Sequence, residues 1–470
     1  MKKIKLIICF LMLSNCVFAQ NWEPEVIPLK AQQIRAMLTD TINDKLYVAG
    51  MITYFEQGGS INDGVIGVYD GNSWSYIDTI NDVITSMVMF NDELYIAGFF
   101  SLINNESFYT IAKWDGSQWH EIDVDSRIIR LRVIGDYLYA MGNFSEIGGI
   151  EANKVARFDG NQWQSLDFPE LNPGPYLIDI ARYNDEYYAG GNYTFAPFED
   201  KVGNLTVYRD GGWQKVGEHD RLWGGFTNVA IMEVYKDNLY VGGPINKGEG
   251  NVAQGIQMWD GERWFSIGDL QLQPGLLSNT RVTDMFVHDD RLFVLGNFHF
   301  VDSLPAKNIA TWDGERWCSF PGTIWFSSLL GPVMSMYRDT LYVASSDTFN
   351  GVYTNKLVRW VGGDYVGDCT DIITPTPMET SSNEEISQKQ TGIQIFPNPT
   401  QSHISISLPE SLPEVGISIY DATGREVYRR ENFTYDSKIQ LDVSGFIPGV
   451  YFVNLNSSEK RYYTSFVVKE

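Results

Sequence analysis

The chain has 470 residues, which is enough for two or three domains of ordinary size. Its formal net charge of -24 at pH 7 argues against nucleic-acid binding and against electrostatic attachment to anionic lipid, because phosphate groups repel an acidic surface. Aromatic residues (14%) and 43 glycines favour many short strands joined by tight turns. We therefore predict an all-β protein.

Residues 1–19 have the features of a secretory signal peptide. A basic start is followed by an apolar run that begins at Ile4, and Val17-Phe18-Ala19 offers a cleavage site. The alternative, a lipoprotein anchored at Cys16, is disfavoured by Asn15 just before the cysteine. The apolar run is too short for a membrane span and no later stretch is apolar over about 20 residues, so we expect no transmembrane segment.

Two motifs repeat along residues 20–369. An Asp-Gly turn flanked by aromatic residues has its aspartate at 70, 115, 159, 210, 260 and 313, which gives intervals of 44 to 53 residues. A Leu-Tyr-like pair followed by small apolar residues begins at positions 46, 94, 138, 187, 239, 292 and 341. Seven copies at this period predict a seven-bladed β-propeller.

Each repeat reads as four antiparallel strands. In the second repeat they are Ile84 to Phe90, Leu94 to Ala97, Tyr109 to Trp114 and Trp119 to Ile122. The segment from Trp22 resembles a fourth strand, so we expect it to complete the last blade and close the ring. We interpret the Asp-Gly turns as structural, with their tryptophans packed between blades, and the glycines after the second strands as points of close backbone approach.

Beyond the repeats, the composition predicts a linker and a small second domain. Removal of the leader leaves Cys318 and Cys369, and the sequence alone supports a disulfide and two free thiols equally. Residues 370–391 are rich in Thr, Ser, Pro and Glu, which predicts a linker. Short alternating strands over 392–470 predict an Ig-like antiparallel β-sandwich.

The tail carries a set of motifs in a fixed order. They are Phe396-Pro397-Asn398-Pro399, the Asp421 to Gly424 turn, Pro448-Gly449-Val450-Tyr451 and the basic end at Lys469. In this order they resemble a type A C-terminal sorting domain of the type IX secretion system. The resemblance implies recognition by the type IX machinery and delivery through the periplasm to the medium or the outer cell surface. A plain Ig-like binding module is the alternative.

The repeats resemble kelch and galactose-oxidase-like propellers. Asn308-Ile309-Ala310-Thr311-Trp312-Asp313-Gly314 is similar to the repeats of fungal cortical cell-polarity marker proteins. This resemblance implies a fold and not a function, since propellers carry both enzymes and binding proteins.

No catalytic set stands out in the sequence. The five histidines of the mature chain are scattered without mutual spacing, and the two cysteines lack metal-binding spacing, so we expect no metal and no cofactor. A nucleophile elbow and a phosphate-binding loop are also missing from the sequence. We therefore favour a non-catalytic binding or adhesion module for an unidentified glycan or protein, with a carbohydrate-active or oxidative enzyme as the alternative.

Two groups of residues are candidates for ligand contact. The first is an aromatic rim on the loops between second and third strands, formed by Tyr54, Phe55, Phe100, Phe195, Phe198 and Phe300. Four other aromatics at one repeat position, Phe99, Phe144, Tyr193 and Phe298, are expected to pack between blades. The second candidate group lines the central channel and comprises Ser86, Arg130, Asp179 and Asp284.

Overall fold

The computed structural model describes residues 22–25, 30–56, 59–169, 176–195, 202–217, 229–245, 253–272, 280–320, 333–344, 348–349, 352–353, 357–362, 365–377, 394–407, 412–421, 426–435, 438–456 and 461–469. The predicted signal peptide lies outside these residues. The chain divides into two compact units, Met1–Thr380 and Ser381–Glu470.

Within the described residues of the first unit, seven antiparallel sheets of four to six strands form the seven predicted blades, and three smaller sheets accompany them. The chain enters with β1 (Trp22–Pro24). Blade 1 contains β2 (Lys30–Asp40), β3 (Lys45–Glu56), β4 (Gly59–Tyr69) and β5 (Trp74–Ile80). Blade 2 contains β6 (Ile84–Phe90), β7 (Glu93–Gly98), β10 (Ile111–Trp114) and β11 (Trp119–Glu121). Between β7 and β10 the chain forms the hairpin of β8 (Leu102–Ile103) and β9 (Glu106–Ser107), which pairs with β5 of blade 1. Blade 3 contains β12 (Ile128–Ile134), β13 (Tyr137–Gly142), the hairpin β14 (Glu146–Ile147) and β15 (Ile150–Glu151), β16 (Val155–Phe158) and β17 (Trp163–Ser165).

The remaining blades follow the same order. Blade 4 contains β18 (Tyr176–Tyr183), β19 (Glu186–Phe195), β20 (Val202–Arg209) and β21 (Gly212–Lys215). Blade 5 contains β22 (Ile231–Tyr235), β23 (Asn238–Gly242), β24 (Ile256–Trp259) and β25 (Trp264–Ser266), and β26 (Leu270–Gln271) follows it. Blade 6 contains β27 (Arg281–His288), β28 (Arg291–Asn297), the hairpin β29 (Phe300–Val301) and β30 (Leu304–Pro305), β31 (Ile309–Trp312) and β32 (Trp317–Ser319). Blade 7 contains β33 (Met334–Tyr337), β34 (Thr340–Ala344), the hairpin β35 (Thr348–Phe349) and β36 (Val352–Tyr353), and β37 (Leu357–Trp360).

The strand N-terminal to the repeats completes blade 7. β1 pairs antiparallel with β37, so that Trp22 lies opposite Trp360. On the other side of the junction, the Thr39 hydroxyl donates to the backbone oxygen of Met336 at 2.7 Å. The two ends of the repeat array are thus joined in one ring, which confirms the closure expected from the sequence and removes an exposed sheet edge.

The second strand of each blade lies deep between its neighbours. Leu94–Gly98 of β7 is buried at every position, whereas the first strand β6 is buried only at Ile84, Met87 and Phe90 and half-buried between them. A strand covered on both faces needs continuous apolar residues, which explains the repeated Leu-Tyr-Val-Ala motif. The glycine that follows is required by space, because a Cβ on Gly98 would lie 2.1 Å from the backbone oxygen of Val83.

The Asp-Gly turns between third and fourth strands are built by the aspartate. Asp115 Oδ1 accepts the backbone N–H groups of Ser117 and Gln118 at 2.7 and 2.9 Å, and Gly116 has a φ of +97°. The turn at Asp210 is shorter, with positive φ at both Asp210 and Gly211. The flanking tryptophans connect blades, since Trp312 Nε1 donates to the Tyr240 hydroxyl of the preceding blade at 3.0 Å. This confirms the structural interpretation of the motif.

The segment after the repeats continues along the ring beyond the predicted domain boundary. Thr370 and Ile373 donate backbone hydrogen bonds to Trp317 and Glu315 of blade 6, and β38 (Thr376–Pro377) then pairs with β25 of blade 5. The linker predicted from residue 370 is therefore wrong over 370–377, because this stretch satisfies its backbone groups on two outer strands rather than in water.

The second unit contains two antiparallel sheets. The first has the order β39 (Gln394–Phe396), β40 (His403–Ser407) and β43 (Ile439–Asp442). The second has the order β42 (Glu426–Tyr435), β41 (Leu412–Asp421), β44 (Gly449–Asn456) and β45 (Arg461–Val468). Alternate residues such as Ile404, Ile419, Val453 and Phe466 form one core, in agreement with the predicted sandwich.

Candidate functional site

The structure reverses the roles of two adjacent phenylalanines. Phe100 was expected in the aromatic rim, but it has no exposed surface and packs in the core between blades. Phe99, expected in the core, is 42% exposed. The buried position falls two residues after the glycine that ends the second strand, as at Gly142 and Phe144, and the repeat alignment in blade 2 was therefore one residue out of register.

The other rim residues do not assemble into one described surface. Phe198 lies outside the described residues, and the side chains of Tyr54, Phe55 and Phe195 are likewise not described. Phe300 is half-buried in the β29–β30 hairpin, where it pairs with Pro305. The rim as predicted stays a prediction, apart from Phe100, which is excluded by its burial.

Two aromatic side chains are exposed together at one end of blade 2. Phe99 follows β7 and Tyr109 precedes β10, and these strands pair antiparallel, so the two residues leave the sheet at the same end. Their side chains are 42% and 43% exposed. The Arg127 guanidinium, from the loop that enters blade 3, lies 5.1 Å from the centre of the Phe99 ring. We call Phe99, Tyr109 and Arg127 the aromatic platform.

Thr110, which follows Tyr109 of the platform, has an unfavourable backbone conformation. Thr110 has a φ of +59°, which is unfavourable for a β-branched side chain. Its hydroxyl is buried, donates to the Gly98 oxygen at 2.6 Å and accepts the Ile128 N–H of blade 3 at 3.0 Å. The equivalent residues Lys154 and Asn308 also have positive φ. The left-handed conformation is thus a property of the fold, and threonine occupies it here because its hydroxyl links two blades.

The four predicted channel residues occupy equivalent places in the ring. Each lies at a register shift in the first strand of its blade. Three of them accept a backbone N–H from the next blade. Ser86 accepts from Leu131 at 3.0 Å, Asp179 from Met232 at 2.7 Å and Asp284 from Met334 at 2.8 Å. These side chains therefore join adjacent blades.

An arginine that the sequence analysis missed holds three blades together. Arg132 on β12 contacts Asp179 of blade 4 at 2.7 Å, and in blade 5 it contacts the Met232 oxygen and Glu233, also at 2.7 Å. Arg130 is 3.7 Å from the same Asp179 carboxylate. The sequence contains one feature that indicates this role, namely the Arg-x-Arg spacing inside an otherwise apolar strand. This spacing directs both arginine side chains to one face of the sheet.

Burial and charge shift the pKa values in this network. Burial raises the pKa of Glu233, the Asp179 charge adds to this and Arg132 opposes it. Burial lowers the pKa of Arg132, but the charges of Asp179 and Glu233 outweigh it and raise the pKa overall. Burial raises the pKa of Asp284 to about 6. The cause in each case is packing within the ring, and Asp179 has no exposed surface to offer a ligand.

Cys318 and Cys369 form a disulfide. The Cα atoms are 4.0 Å apart, and the two residues form an isolated antiparallel β-bridge. The sequence alone left this pairing open. In the structure the chain returns from blade 7 to the outer edge of blade 6, and this brings Cys369 beside Cys318. Within the described part of the chain, no group of three or more His, Cys, Asp or Glu side chains is arranged to hold a metal ion.

The tail motif is attached to the last strand of the second unit. Asn398 Oδ1 accepts the Val467 N–H at 2.9 Å, and Lys469 and Thr400 form a further backbone hydrogen bond. Phe396 is 46% exposed with the Lys438 ammonium 4.7 Å from its ring, Pro397 and Pro399 flank Asn398, and Gly449 begins β44. Gly424 lies outside the described residues.

Residues 394–469 match the family model described as a secretion system C-terminal sorting domain. This second unit is a type IX sorting domain. The sorting domain marks the protein for export by the type IX machinery to the cell surface or the medium. No helix in the described residues is long and apolar enough to cross a membrane.

Comparison with known proteins is less informative about the propeller. No curated protein matches the chain. Among solved structures, the chain is similar to Bacteroides ovatus Xyloglucan PUL GH43B, with 9% identity, 95% of this chain and 92% of that chain covered, and a TM-score of 0.24.

Proposed function

We propose that the propeller is a non-catalytic module that binds glycans outside the cell or at its surface through the aromatic platform. The observation that supports this is the joint exposure of Phe99 and Tyr109 at one end of blade 2. At the equivalent positions, blade 3 has Asn143 and Asn153, and blade 6 has Asn297 and Lys307. The paired aromatics are thus not needed to build a blade.

The size and chemistry of the platform fit a sugar ring. Aromatic faces stack on the apolar face of a pyranose, and the Arg127 guanidinium, which lies over one face of the Phe99 ring, supplies donors for hydroxyl groups. Two rings provide little area beside the roughly 800 Å² per partner that stable protein interfaces bury. A glycan therefore suits the platform better than a protein partner does.

The acidic residues of the channel support binding rather than catalysis. Catalytic acids must reach substrate, whereas Asp179 is fully buried and bonded to Met232 and Arg132, and Asp284 is bonded to Met334. Both carboxylates are already bonded to the next blade and hold adjacent blades together.

The test is glycan binding by the mature protein and its variants on an array of polysaccharides. The Phe99→Ala/Tyr109→Ala variant should lose at least tenfold in affinity for the glycan that the wild type binds. Ile42→Ala is the matched control, because Ile42 is 76% exposed at a turn at the opposite ends of the strands. Unchanged binding in the double variant, or turnover of a bound polysaccharide, would contradict the proposal.

A further inference from the structure

A cleft opens in blade 3, the blade next to the one that carries Phe99 and Tyr109. Its volume is about 530 Å³, which is within the range of small-molecule sites. One wall is the β14–β15 hairpin with its flanking residues, namely Ser145, Glu146, Glu151 and Asn153. The other wall is the segment after β17, with Asp167 and the buried ring of Phe168.

The cleft walls are held in place by the surrounding fold. Val124 bridges to Ile147 of the hairpin, and the Ala152 N–H donates to the Ser145 oxygen at 2.8 Å. Phe168 is fixed by edge contacts with Tyr193 and Trp213, at ring-centre distances of 5.4 and 4.8 Å. The cavity therefore has a preformed shape, which reduces the entropy that a ligand loses on binding.

One loop joins the cleft to the platform. Arg127 lies over Phe99, and two residues earlier Asp125 accepts the backbone N–H groups of Ser145 and Glu146 at 2.9 and 3.0 Å. Asn153 in the cleft also occupies the place in blade 3 that Tyr109 occupies in blade 2, because each precedes a residue with positive φ. The two features therefore lie at the same end of neighbouring blades.

The cleft lining is chemically suited to hydroxyl groups. Glu146 and Glu151 face each other across the hairpin, and Asp167 adds a third carboxylate. Carboxylates accept hydrogen bonds from hydroxyls, and the Asn153 amide can donate and accept. The same carboxylates repel uronic acids and sulfated sugars.

We propose that this cleft is a second saccharide subsite, continuous with the aromatic platform, and that the ligand is an uncharged oligosaccharide that spans both. This inference rests on the proposed glycan-binding function and adds its substrate class. An oligosaccharide stacked on Phe99 and Tyr109 extends along the loop at Arg127 into the cleft, where hydroxyl groups bind Glu146, Glu151 and Asn153.

Calorimetry on the mature protein tests the inference with cellohexaose, maltohexaose and chitohexaose, their disaccharides, and hexagalacturonate. At least one neutral hexamer should bind tenfold or more tightly than its disaccharide, and hexagalacturonate should not bind. Glu151→Ala/Asn153→Ala should reduce hexamer affinity to that of the disaccharide and leave the disaccharide unchanged. Glu146→Gln/Glu151→Gln should admit hexagalacturonate.

The outcomes separate the two proposals. If the cleft variants bind the hexamer like the wild type while Phe99→Ala/Tyr109→Ala loses binding, the second subsite is wrong and the platform stands. If neither set of variants changes binding, both are wrong, and if no neutral hexamer binds more tightly than its disaccharide, the second subsite is wrong. Thermal unfolding of each variant checks the fold, and Glu151 is exposed, so its replacement should leave the unfolding midpoint unchanged.

Discussion

Trp22 and Trp360 lie directly opposite each other across the β1–β37 pair, with their ring centres 5.1 Å apart. The contact joins the start of the ring to its last blade. Arg359 strengthens it through ion pairs with Glu23 at 3.2 Å and Glu25 at 3.5 Å. The closure of the propeller therefore depends on a three-residue strand.

Trp22→Ala should lower the free energy of unfolding by about 3–5 kcal/mol, because Trp22 is 1% exposed and its loss leaves a cavity between β37 and Phe320. Urea titration followed by tryptophan fluorescence measures the change. Ile42→Ala, at an exposed turn, should stay within about 0.5 kcal/mol of the wild type. Equal stability of the two variants would show that β1 does not close the ring.

Replacement of the disulfide by Cys318→Ala/Cys369→Ala should cost about 4 kcal/mol, since the bridge closes a loop with a sequence separation of 51 residues. Urea midpoints with and without dithiothreitol test this. Reductant should shift the wild type to the midpoint of the double variant and leave the double variant itself unchanged. A reductant effect on the double variant would mean that the stabilisation has another source.

Arg132→Met should destabilise the protein by about 3–5 kcal/mol, because it leaves the buried carboxylate of Asp179 without the guanidinium that contacts it at 2.7 Å. Asp179→Asn in the same chain should recover part of this loss. A double-mutant cycle should give a coupling energy above about 1 kcal/mol. Simple additivity of the two changes would contradict the proposed three-blade link.

Asp284→Asn should change how stability depends on pH. Burial raises the folded-state pKa of Asp284 to about 6 from an ordinary value of 3.8, so the native state binds a proton in this interval that the unfolded chain does not. Ionisation of the buried carboxylate thus destabilises the folded protein, and this cost grows as the pH rises from about 4 to about 6. The asparagine variant keeps an acceptor for the Met334 N–H and avoids this cost.

We therefore expect Asp284→Asn to exceed the wild type by about 2–3 kcal/mol at pH 7.5, with the difference closing towards pH 4. Urea titrations at five pH values measure it. Asp136→Asn at an exposed turn is the control and should give a difference that is flat with pH. If the difference in stability between the variant and the wild type instead widened on acidification, the raised pKa assigned to Asp284 would be refuted.

Deletion of residues 392–470 should retain the propeller in the periplasm, because the sorting domain carries the export signal. Immunoblots of periplasm, outer membrane and medium test this. Fusion of the same residues to a periplasmic reporter should move the reporter outside the cell. Export of the truncated protein would show that the propeller itself is recognised.

The blade count and the closing strand were predictable because they depend on local chemistry. Every turn between first and second strands has an aspartate at the same place, namely Asp44, Asp92, Asp136, Asp185, Asp237, Asp290 and Asp339. Asp and Asn tolerate the positive φ that such turns need, as seen at Asp92 (+63°) and Asp237 (+56°). Such signals survive in the sequence because each turn is formed by its own residues.

The site was less predictable, as Phe99 and Phe100 show. Both are apolar and adjacent, and the choice between core and surface depends on a Gly-to-aromatic spacing set by the contacts of Gly98 with Val83. Likewise, the link from Arg132 to Asp179 and Glu233 joins three blades and leaves no local pattern. The alignment of the repeats placed each strand correctly but not each residue within it, whereas a binding surface depends on the position of single residues.

The sequence by itself determined the all-β class, the seven blades, the closure by Trp22 and the sorting tail, because alternation, turn residues and ordered motifs are local and repeat. Tertiary structure decided that Cys369 lies beside Cys318, that residues 370–377 cover blades 6 and 5, and that Phe99 and Tyr109 are exposed on the blade next to a polar cleft. These features arise where distant segments meet in the ring, and the distances between such segments are not encoded in any short stretch of chain.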